Sequence, residues 1–454
     1  MTAAEHFAAH TTETRLGDLP LEARQRAAVY VLDSLGVGVA GSSVEGAQGL
    51  LRVASGWGSP SASVWGRRER LAAPAAAFIN AWQMHNQEYD CLHEGAVVHA
   101  MASVLPAALA AAEARGGVSG AELIVAVAVG VDIAAGLGLA SRTGFRFFRP
   151  ATAGGFGAVA AAGRLLGLDR KALEAAFAWQ LAQVSGTMQA HAEGSPLLPV
   201  QVAFNARAAL QSCELAALNF TPTRSVFEGP YGYLALFEGD FDLEPVLSSF
   251  GHDWRISELS HKPFPAGRAT HGGIEGVMAL QTEHGFAPDD VERIEVIAPP
   301  LIARLVGRSL PPTVSATYAR LCMGYVVAKV LQHGCLDPSH FRGDALSDPV
   351  THVLAARVET CSDDNPDPNA MAPQVVVVHL KGGTALSWDC TTMLANPARQ
   401  LTHEQHLSKF HRCCTFSLDE LAPGAPARLV EAAHRLEEFE DVRVLTELVS
   451  SPAS

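Results

Sequence analysis

The sequence predicts a mostly α-helical protein, in which a large helical domain built from both chain ends carries a smaller α+β lid domain. Three observations support this fold class. One amphipathic helical pattern follows another over roughly the first 250 residues, strand patterns rich in valine and isoleucine appear over about the next 130, and helical patterns return after residue 396. A chain that leaves a domain and later returns to it is typical of an inserted domain.

The first helical part is predicted from apolar residues that recur at helical spacing. Alanine is abundant in these segments, and small side chains let helices approach closely, as in a large buried bundle. The predicted helices are 21–39, 74–84, 100–114, 122–139, 156–166, 170–184 and 202–217.

The α+β part is predicted from alternating strand patterns at 291–297, 374–380 and 384–390. The last two flank Lys381-Gly382-Gly383, which is a hairpin signal. Further helices are predicted at 268–284, 316–332, 404–410 and 426–436. The predicted division is a helical domain over 1–262, the lid over 263–392 and a helical return segment over 393–454.

Composition excludes several classes of partner. The apolar share of 48% allows a large core, and the net charge of −14 argues against nucleic acid and anionic membranes as partners. Eight scattered cysteines without a CxxC pair indicate reduced thiols in a cytoplasmic protein. The apolar stretch 123–140 is interrupted by Asp132, so we expect a buried core helix and no membrane span.

The densest polar cluster lies between residues 80 and 99. Acids and histidines together are the parts of a general acid–base site, although a polar loop between two helices explains the same composition. The HExxH zinc spacing is absent, so no metal is expected here. The candidate residues are His85, Glu88, Asp90, His93 and His99.

Two further segments carry cations. Lys262, Arg268 and His271 lie at the predicted domain junction, where ligand clefts are common, and the alternative is a stiff basic linker. Arg149 precedes a glycine-rich run and is placed to bind a carboxylate at the start of a helix. That run lacks the GxxxxGK[ST] frame, which argues against a nucleotide site.

Taken in order, these segments resemble the MmgE/PrpD family over nearly the whole chain. The resemblance implies a helical domain with an α+β lid, a site between them, no metal or organic cofactor, and a homodimer. The matching segments are Asn80, His85-Asn86-Gln87-Glu88-Tyr89-Asp90-Cys91-Leu92, His99-Ala100, Phe227-Glu228-Gly229-Pro230-Tyr231-Gly232-Tyr233, Lys262-Pro263-Phe264-Pro265 with His271, Asn396-Pro397, Leu401-Thr402 and Leu407-Ser408-Lys409-Phe410.

The chain also departs from the family pattern at four positions. Glu88 replaces an aspartate, Leu92 a threonine, Arg149 a histidine and Leu198 a lysine. The family residues retained are Asp90, His99, Lys262 and His271.

The resemblance implies a cofactor-free lyase or isomerase that removes a proton α to a carboxylate of a small di- or tricarboxylate. Dehydration is favoured, with epimerisation, isomerisation and decarboxylation left open. The expected base is His99, with Asp90 or Glu88 orienting it or protonating the leaving hydroxyl. The expected anion contacts are Lys262, Arg149, Arg268, His271, His93 and His85.

The competing hypothesis is a non-catalytic polycarboxylate-binding protein that retains the fold. Other histidines fit no catalytic geometry in the sequence and are expected to be solvated or purely architectural. These are His191, His403, His406 and His411.

Overall fold

The computed structural model describes residues 1–144, 146–218 and 220–451, and helices dominate them, which confirms the predicted fold class. The helices before the lid are α1 (Ala3–Glu13), α2 (Leu21–Gly41), α3 (Ala47–Ala54), α4 (Ala73–His85), α5 (Met101–Arg115), α6 (Gly120–Leu139), α7 (Arg149–Leu166), α8 (Arg170–Leu181), α9 (Gln189–Glu193), α10 (Leu198–Leu215) and α11 (Glu244–Ser249). A two-stranded ladder of β1 (Ala62–Ser63) and β2 (Arg70–Leu71) interrupts them.

The lid places helices around one four-stranded sheet. Its helices are α12 (His271–His284), α13 (Pro300–Val306), α14 (Ala316–Arg320), α15 (Met323–His333) and α16 (Pro349–Ala355), and its strands are β3 (Val291–Ala298), β4 (Val358–Ser362), β5 (Gln374–Leu380) and β6 (Ala385–Cys390). The strand order is β4-β3-β5-β6, with β3 and β4 parallel and the other pairs antiparallel. The hairpin predicted at Gly382 joins β5 to β6.

The chain then returns to the helical part through α17 (His403–Cys414), α18 (Ala425–His434) and α19 (Arg443–Val449). Phe410, Leu429 and Leu445 of these helices belong to the same buried cluster as α1 to α10. A second cluster holds the apolar residues of the lid. The helical part and the lid therefore have separate cores, while the predicted domain boundaries stay a prediction.

Helix α6 is long and apolar enough to cross a membrane by length and composition, but 89% of its apolar window is buried inside the protein. Its neighbour α7 begins at Arg149, whereas the sequence predicted a start at residue 156. The glycines near the start of α7 lie at helix crossings. A Cβ added at Gly157 would overlap the backbone of Gly130 in α6, so small size is needed there and helix propensity is outweighed by packing.

One other predicted helix is divided in the structure, and strand β4 and helix α1 are among the elements that the sequence did not predict. The helix predicted at 316–332 is split at Leu321-Cys322 into α14 and α15. Strand β4 was not predicted because most of its residues are exposed or half-buried, so its sequence lacks a clear alternation of apolar and polar residues. It pairs in parallel with β3. Helix α1, also missed, is held by a capping box in which Thr2 and Glu5 satisfy each other's backbone N–H groups.

Candidate functional site

A narrow cavity of about 60 Å³ lies where the helical part meets the lid. Apolar side chains cover most of its wall, and its polar groups are few, as in many ligand sites. The lining residues are Glu88, Leu92, Val97, His99, Phe148, Pro150, Met188, His191, Gly267, Arg268, Ala269, Leu305, Val306, Leu321 and Met371.

The loop between α4 and α5 supplies one wall of this cavity. Glu88 and Val97 both have φ of 52°, a left-handed conformation that is costly for residues with a Cβ. The loop is held in place by paired backbone hydrogen bonds between Leu92 and Ser260, with N···O distances of 3.0 and 2.8 Å. This pairing positions the loop against the segment that leads to Lys262.

Asp90 links two histidines in this loop. Its Oδ2 lies 2.9 Å from Nδ1 of His85 and 3.0 Å from Nδ1 of His99. Because an ionised carboxylate only accepts, both Nδ1–H groups donate to it. For His99, which lines the cavity, this leaves Nε2 as the nitrogen available to a ligand.

The pKa values of the two histidines are shifted in opposite directions from the usual value. Burial, followed by the charge of Lys262, lowers the pKa of His99, although Asp90 opposes this. Burial also acts to lower the pKa of His85, but Asp90 and Glu88 outweigh it and the net shift is upward. Titratable groups with pKa values pushed apart are typical of acid–base sites, and the lowered pKa of His99 keeps its imidazole neutral at neutral pH.

Glu88 forms a buried ion pair with Lys262. Nζ lies 2.8 Å from Oε2, and Nε2 of His85 lies 3.6 Å from the other carboxylate oxygen. Burial raises the pKa of Glu88, but Lys262 and then His85 outweigh it and lower it to about 2. The carboxylate on the cavity wall is therefore ionised, and Lys262 itself lies behind it and does not line the cavity.

Arg268 reaches the cavity from the start of α12. Its guanidinium pairs with Glu94 at 2.8 Å and donates to the carbonyl of Leu394. His271 accepts from it at 3.3 Å through Nδ1 and donates through Nε2 to the carbonyl of Ala266. His271 thus supports Arg268 from behind and does not line the cavity.

Arg149 and His93 are brought near the site but engaged elsewhere. The fully buried Arg149 pairs with Glu238 at 2.8 Å and also donates to the hydroxyl of Ser141. His93 contacts Glu258 at 2.7 Å through Nε2 and accepts the Ala96 N–H through Nδ1. Of the nine residues that the sequence singled out, three line the cavity, namely Glu88, His99 and Arg268.

His191 also lines the cavity, although the sequence offered no geometric reason to select it. Arg308 contacts its Nδ1 at 3.2 Å and its backbone carbonyl at 2.9 Å. Burial and then Arg308 lower the pKa of His191 to about 4, so the ring is neutral. Because Nδ1 accepts from Arg308, Nε2 carries the proton and can donate to a ligand.

Two helices begin beside the cavity. Pro150 of α7 and the turn Gly267–Ala269 that leads into α12 both contribute to its wall. The N-terminus of a helix carries partial positive charge and favours an anion. The apolar cavity is therefore electrostatically suited to a small carboxylate.

His85, Asp90 and His99 are close enough together to hold a metal ion by distance alone. In both histidines, however, Nδ1 already forms a hydrogen bond with the same oxygen of Asp90, Oδ2. The three side chains form one hydrogen-bonded set, and its chemistry is that of a base oriented by a carboxylate.

The comparison with known proteins identifies the family of this chain. The family model for the MmgE/PrpD N-terminal domain matches residues 5–246, and that for the MmgE/PrpD C-terminal domain matches residues 264–431. The chain is 27% identical to cis-aconitate decarboxylase of Mus musculus, over 94% of this chain and 89% of the relative. It is 26% identical to cis-aconitate decarboxylase of Homo sapiens, over 99% and 95%.

A third relative, the cis-aconitate decarboxylase-like protein oryM of Aspergillus oryzae, is 27% identical over 97% of this chain and 95% of its own length. These names describe lyases or lyase-like proteins for a small carboxylate. Because one family model covers more than half of the chain and a second covers most of the remainder, this protein belongs to the MmgE/PrpD family.

Proposed function

We propose that this protein is a lyase or isomerase that removes the proton α to a carboxylate of a small hydroxy acid, using its own side chains. The observation that carries the proposal is the His99–Asp90 pair on the cavity wall. The imidazole is neutral, its Nδ1–H is bound by Asp90, and Nε2 remains available as a base. A binding protein has no need of such a pair, and fixed cations would serve it better.

The first step transfers the α-hydrogen as a proton to Nε2 of His99, and the electron pair of the C–H bond moves into the carboxylate to form an enediolate. Asp90 stabilises the imidazolium that results, since it already accepts from Nδ1. In dehydration, the enediolate electrons then expel the β-hydroxyl, which leaves as water with the proton from His99. If His99 returns the proton to carbon, the outcome is epimerisation or isomerisation.

The remaining polar groups have distinct places in this scheme. The enediolate charge is stabilised by the helix starts of α7 and α12, by Arg268 and by the Nε2–H of His191. Ionised Glu88 accepts a hydrogen bond from the substrate hydroxyl and orients it as the leaving group. Lys262 holds Glu88 in place and neutralises it.

The cavity wall also bears on the substrate class. Leu92 and Leu198 stand where the family pattern has a threonine and a lysine, and the wall carries few cations for additional carboxylates. We therefore favour a hydroxy dicarboxylate over a tricarboxylate, with apolar atoms against Val97 and Met371.

The test is incubation with a panel of hydroxylated and unsaturated di- and tricarboxylates in deuterated water, followed by proton NMR. The expected result is loss of the α-proton signal together with a dehydrated product, both abolished in His99→Ala. Release of carbon dioxide without α-exchange would replace this mechanism by decarboxylation. Saturable binding without any exchange or product would establish the binding-protein alternative.

A further inference from the structure

A second cluster of buried polar side chains lies outside the catalytic cavity. It consists of Asp33 from α2, His261 from the segment entering the lid, and His406 from α17. One potential ligand atom from each lies within 4.8 Å of those of the other two. None of the three lines the catalytic cavity.

The members of this cluster do not satisfy one another. Nε2 of His261, Nε2 of His406 and Oδ2 of Asp33 are buried without a hydrogen-bond partner among the residues that the structure describes. The exposed fractions of the residues are 5%, 5% and 1%. Buried polar atoms without partners are costly, so three of them in one cluster are the kind of site that a bound ligand would satisfy.

The contrast with the catalytic loop is informative. There, His85 and His99 both lie at hydrogen-bond distance from Oδ2 of Asp90, so the carboxylate and the two imidazoles are bonded to one another, although Oδ1 of Asp90 and Nε2 of His85 have no hydrogen-bond partner among the described residues. In the second cluster the rings of His261 and His406 meet edge to face with centroids 5.1 Å apart, and neither ring donates to Asp33 within the described part of the chain.

The cluster borders a cavity of about 550 Å³ between α2, α17 and α18. His406 lines this cavity together with His403 and His434, whose ring centroids lie 5.3 Å apart. The outer face of the cluster is therefore open to water or to a further imidazole.

We propose that Asp33, His261 and His406 form a binding site for a divalent transition-metal ion of the Zn²⁺ type. Two imidazoles and one carboxylate are the donors of known three-ligand zinc sites, which leave a fourth position for water. Of the three residues, His406 also lines the cavity that contains His403 and His434, so water could reach the ion from there.

Two cations set the affinity expected of this site. Nζ of Lys409 lies 2.7 Å from Oδ1 of Asp33 and donates to the carbonyl of Tyr89, and Arg26 lines the adjoining cavity. Both repel a dication, while Oδ2 of Asp33 remains available. Removing the charge of Lys409 is therefore expected to tighten metal binding. If the cluster did not bind a cation, this substitution would not produce such an effect.

Occupation of the site has a structural consequence for the lid. His261 immediately precedes Lys262, which reaches into the catalytic loop from the same segment. An ion bound to Asp33, His261 and His406 would join α2, α17 and this segment. We expect it to stabilise the junction without contributing to the chemistry at His99.

The experiment is titration of the chelator-treated full-length chain with Zn²⁺ by calorimetry, with metal analysis after gel filtration and thermal melting. One ion per chain and a raised melting temperature are expected, with affinity reduced at least tenfold in Asp33→Asn and His406→Gln. His411→Gln is the matched control, because His411 is exposed on the same helix and should bind Zn²⁺ as the parent does.

Lys409→Met is the decisive variant, and its affinity for Zn²⁺ should rise at least tenfold. Co²⁺ in place of Zn²⁺ gives visible absorption bands, which should disappear in His406→Gln even if that variant is less stable. Absence of saturable binding by the parent, or binding that Asp33→Asn and His406→Gln leave unchanged, would overturn the proposal.

Discussion

Lys262 and Glu88, 174 positions apart in the chain, form an ion pair beside the point where the chain enters the lid, with Nζ 2.8 Å from Oε2. Both are buried, so neither charge is hydrated as it would be at the surface. The pair fixes the carboxylate on the cavity wall and makes the junction part of the site.

Replacing Lys262 by methionine should destabilise the protein by about 3–5 kcal/mol, because it leaves Glu88 buried and unpaired. Burial alone would raise the pKa of Glu88, and Lys262 is the main cause that lowers it to about 2. Without Lys262 this pKa should therefore rise. Urea unfolding measures the loss. The double variant Lys262→Met, Glu88→Gln should recover part of it, and equal unfolding midpoints for Lys262→Met and the parent would contradict the argument.

His99→Ala should slow exchange of the substrate α-hydrogen with solvent by about a hundred- to ten-thousandfold, because it removes the base. Substrate affinity should change little, since the anion contacts remain. His93→Ala is the control, as His93 is bound to Glu258 away from the cavity and should exchange at the parental rate. An unaltered exchange rate in a normally folded His99→Ala variant would exclude His99 as the base.

The pH dependence should have two limbs of different origin. The pKa of His99 in the free protein is lowered from 6.5, so kcat/KM should rise with pH through a value below 6.5 as this base loses its proton. The pKa of His85 is raised, so above 6.5 the set formed with Asp90, Glu88 and Lys262 should pass from neutral to net negative. Repulsion of the anionic substrate should then raise KM.

In His85→Gln the alkaline limb should be absent, with KM high throughout, while the acid limb of kcat/KM remains. Steady-state kinetics across pH, with kcat and KM resolved separately, checks this assignment. An alkaline limb that persists in His85→Gln would assign it to another group.

His191→Ala should raise KM about ten- to a hundredfold, the value of one hydrogen bond to a charged group. The physical reason is loss of the Nε2–H donor that Arg308 sets by contacting Nδ1. Arg308→Met should produce a smaller effect in the same direction, because the ring remains but its tautomer is no longer fixed. Binding affinities measured by calorimetry with a compound that the NMR panel identifies as substrate would decide between this role and simple packing.

Arg149→Met should lower stability without altering KM. Glu238, its partner at 2.8 Å, would be left buried, and its pKa, already raised by burial, would rise further. Thermal melting of Arg149→Met and of the double variant with Glu238→Gln measures this. A large increase in KM for Arg149→Met would instead restore it as a substrate contact.

Local pattern was sufficient for most helices and for the hairpin, because the spacing of apolar residues and the Gly382-Gly383 turn are determined within short windows. It was also sufficient to find the polar cluster that contains Asp90 and His99 and the basic segment that contains Lys262. The preference for these three residues within their segments came from the family resemblance, and nothing local indicates the contact of Lys262 with Glu88.

The misplaced residues have distant partners. Arg149 looked like a free cation because Glu238, 89 positions later, carries no signal of their pairing. His191 looked isolated because Arg308, which contacts its ring, is 117 positions away. Long-range contacts of this kind depend on how α7, α9 and α13 pack, and a single sequence does not specify them.

The two hydrogen bonds between Leu92 and Ser260 are formed by main-chain atoms alone. These hydrogen bonds therefore do not depend on the side chain at position 92, although that side chain forms part of the cavity wall. Substitutions there alter the polarity facing a substrate while the wall stays in place. A single substitution at position 92 can therefore change substrate selectivity during evolution without disturbing the scaffold. The variant Leu92→Thr would reproduce such a change in the laboratory.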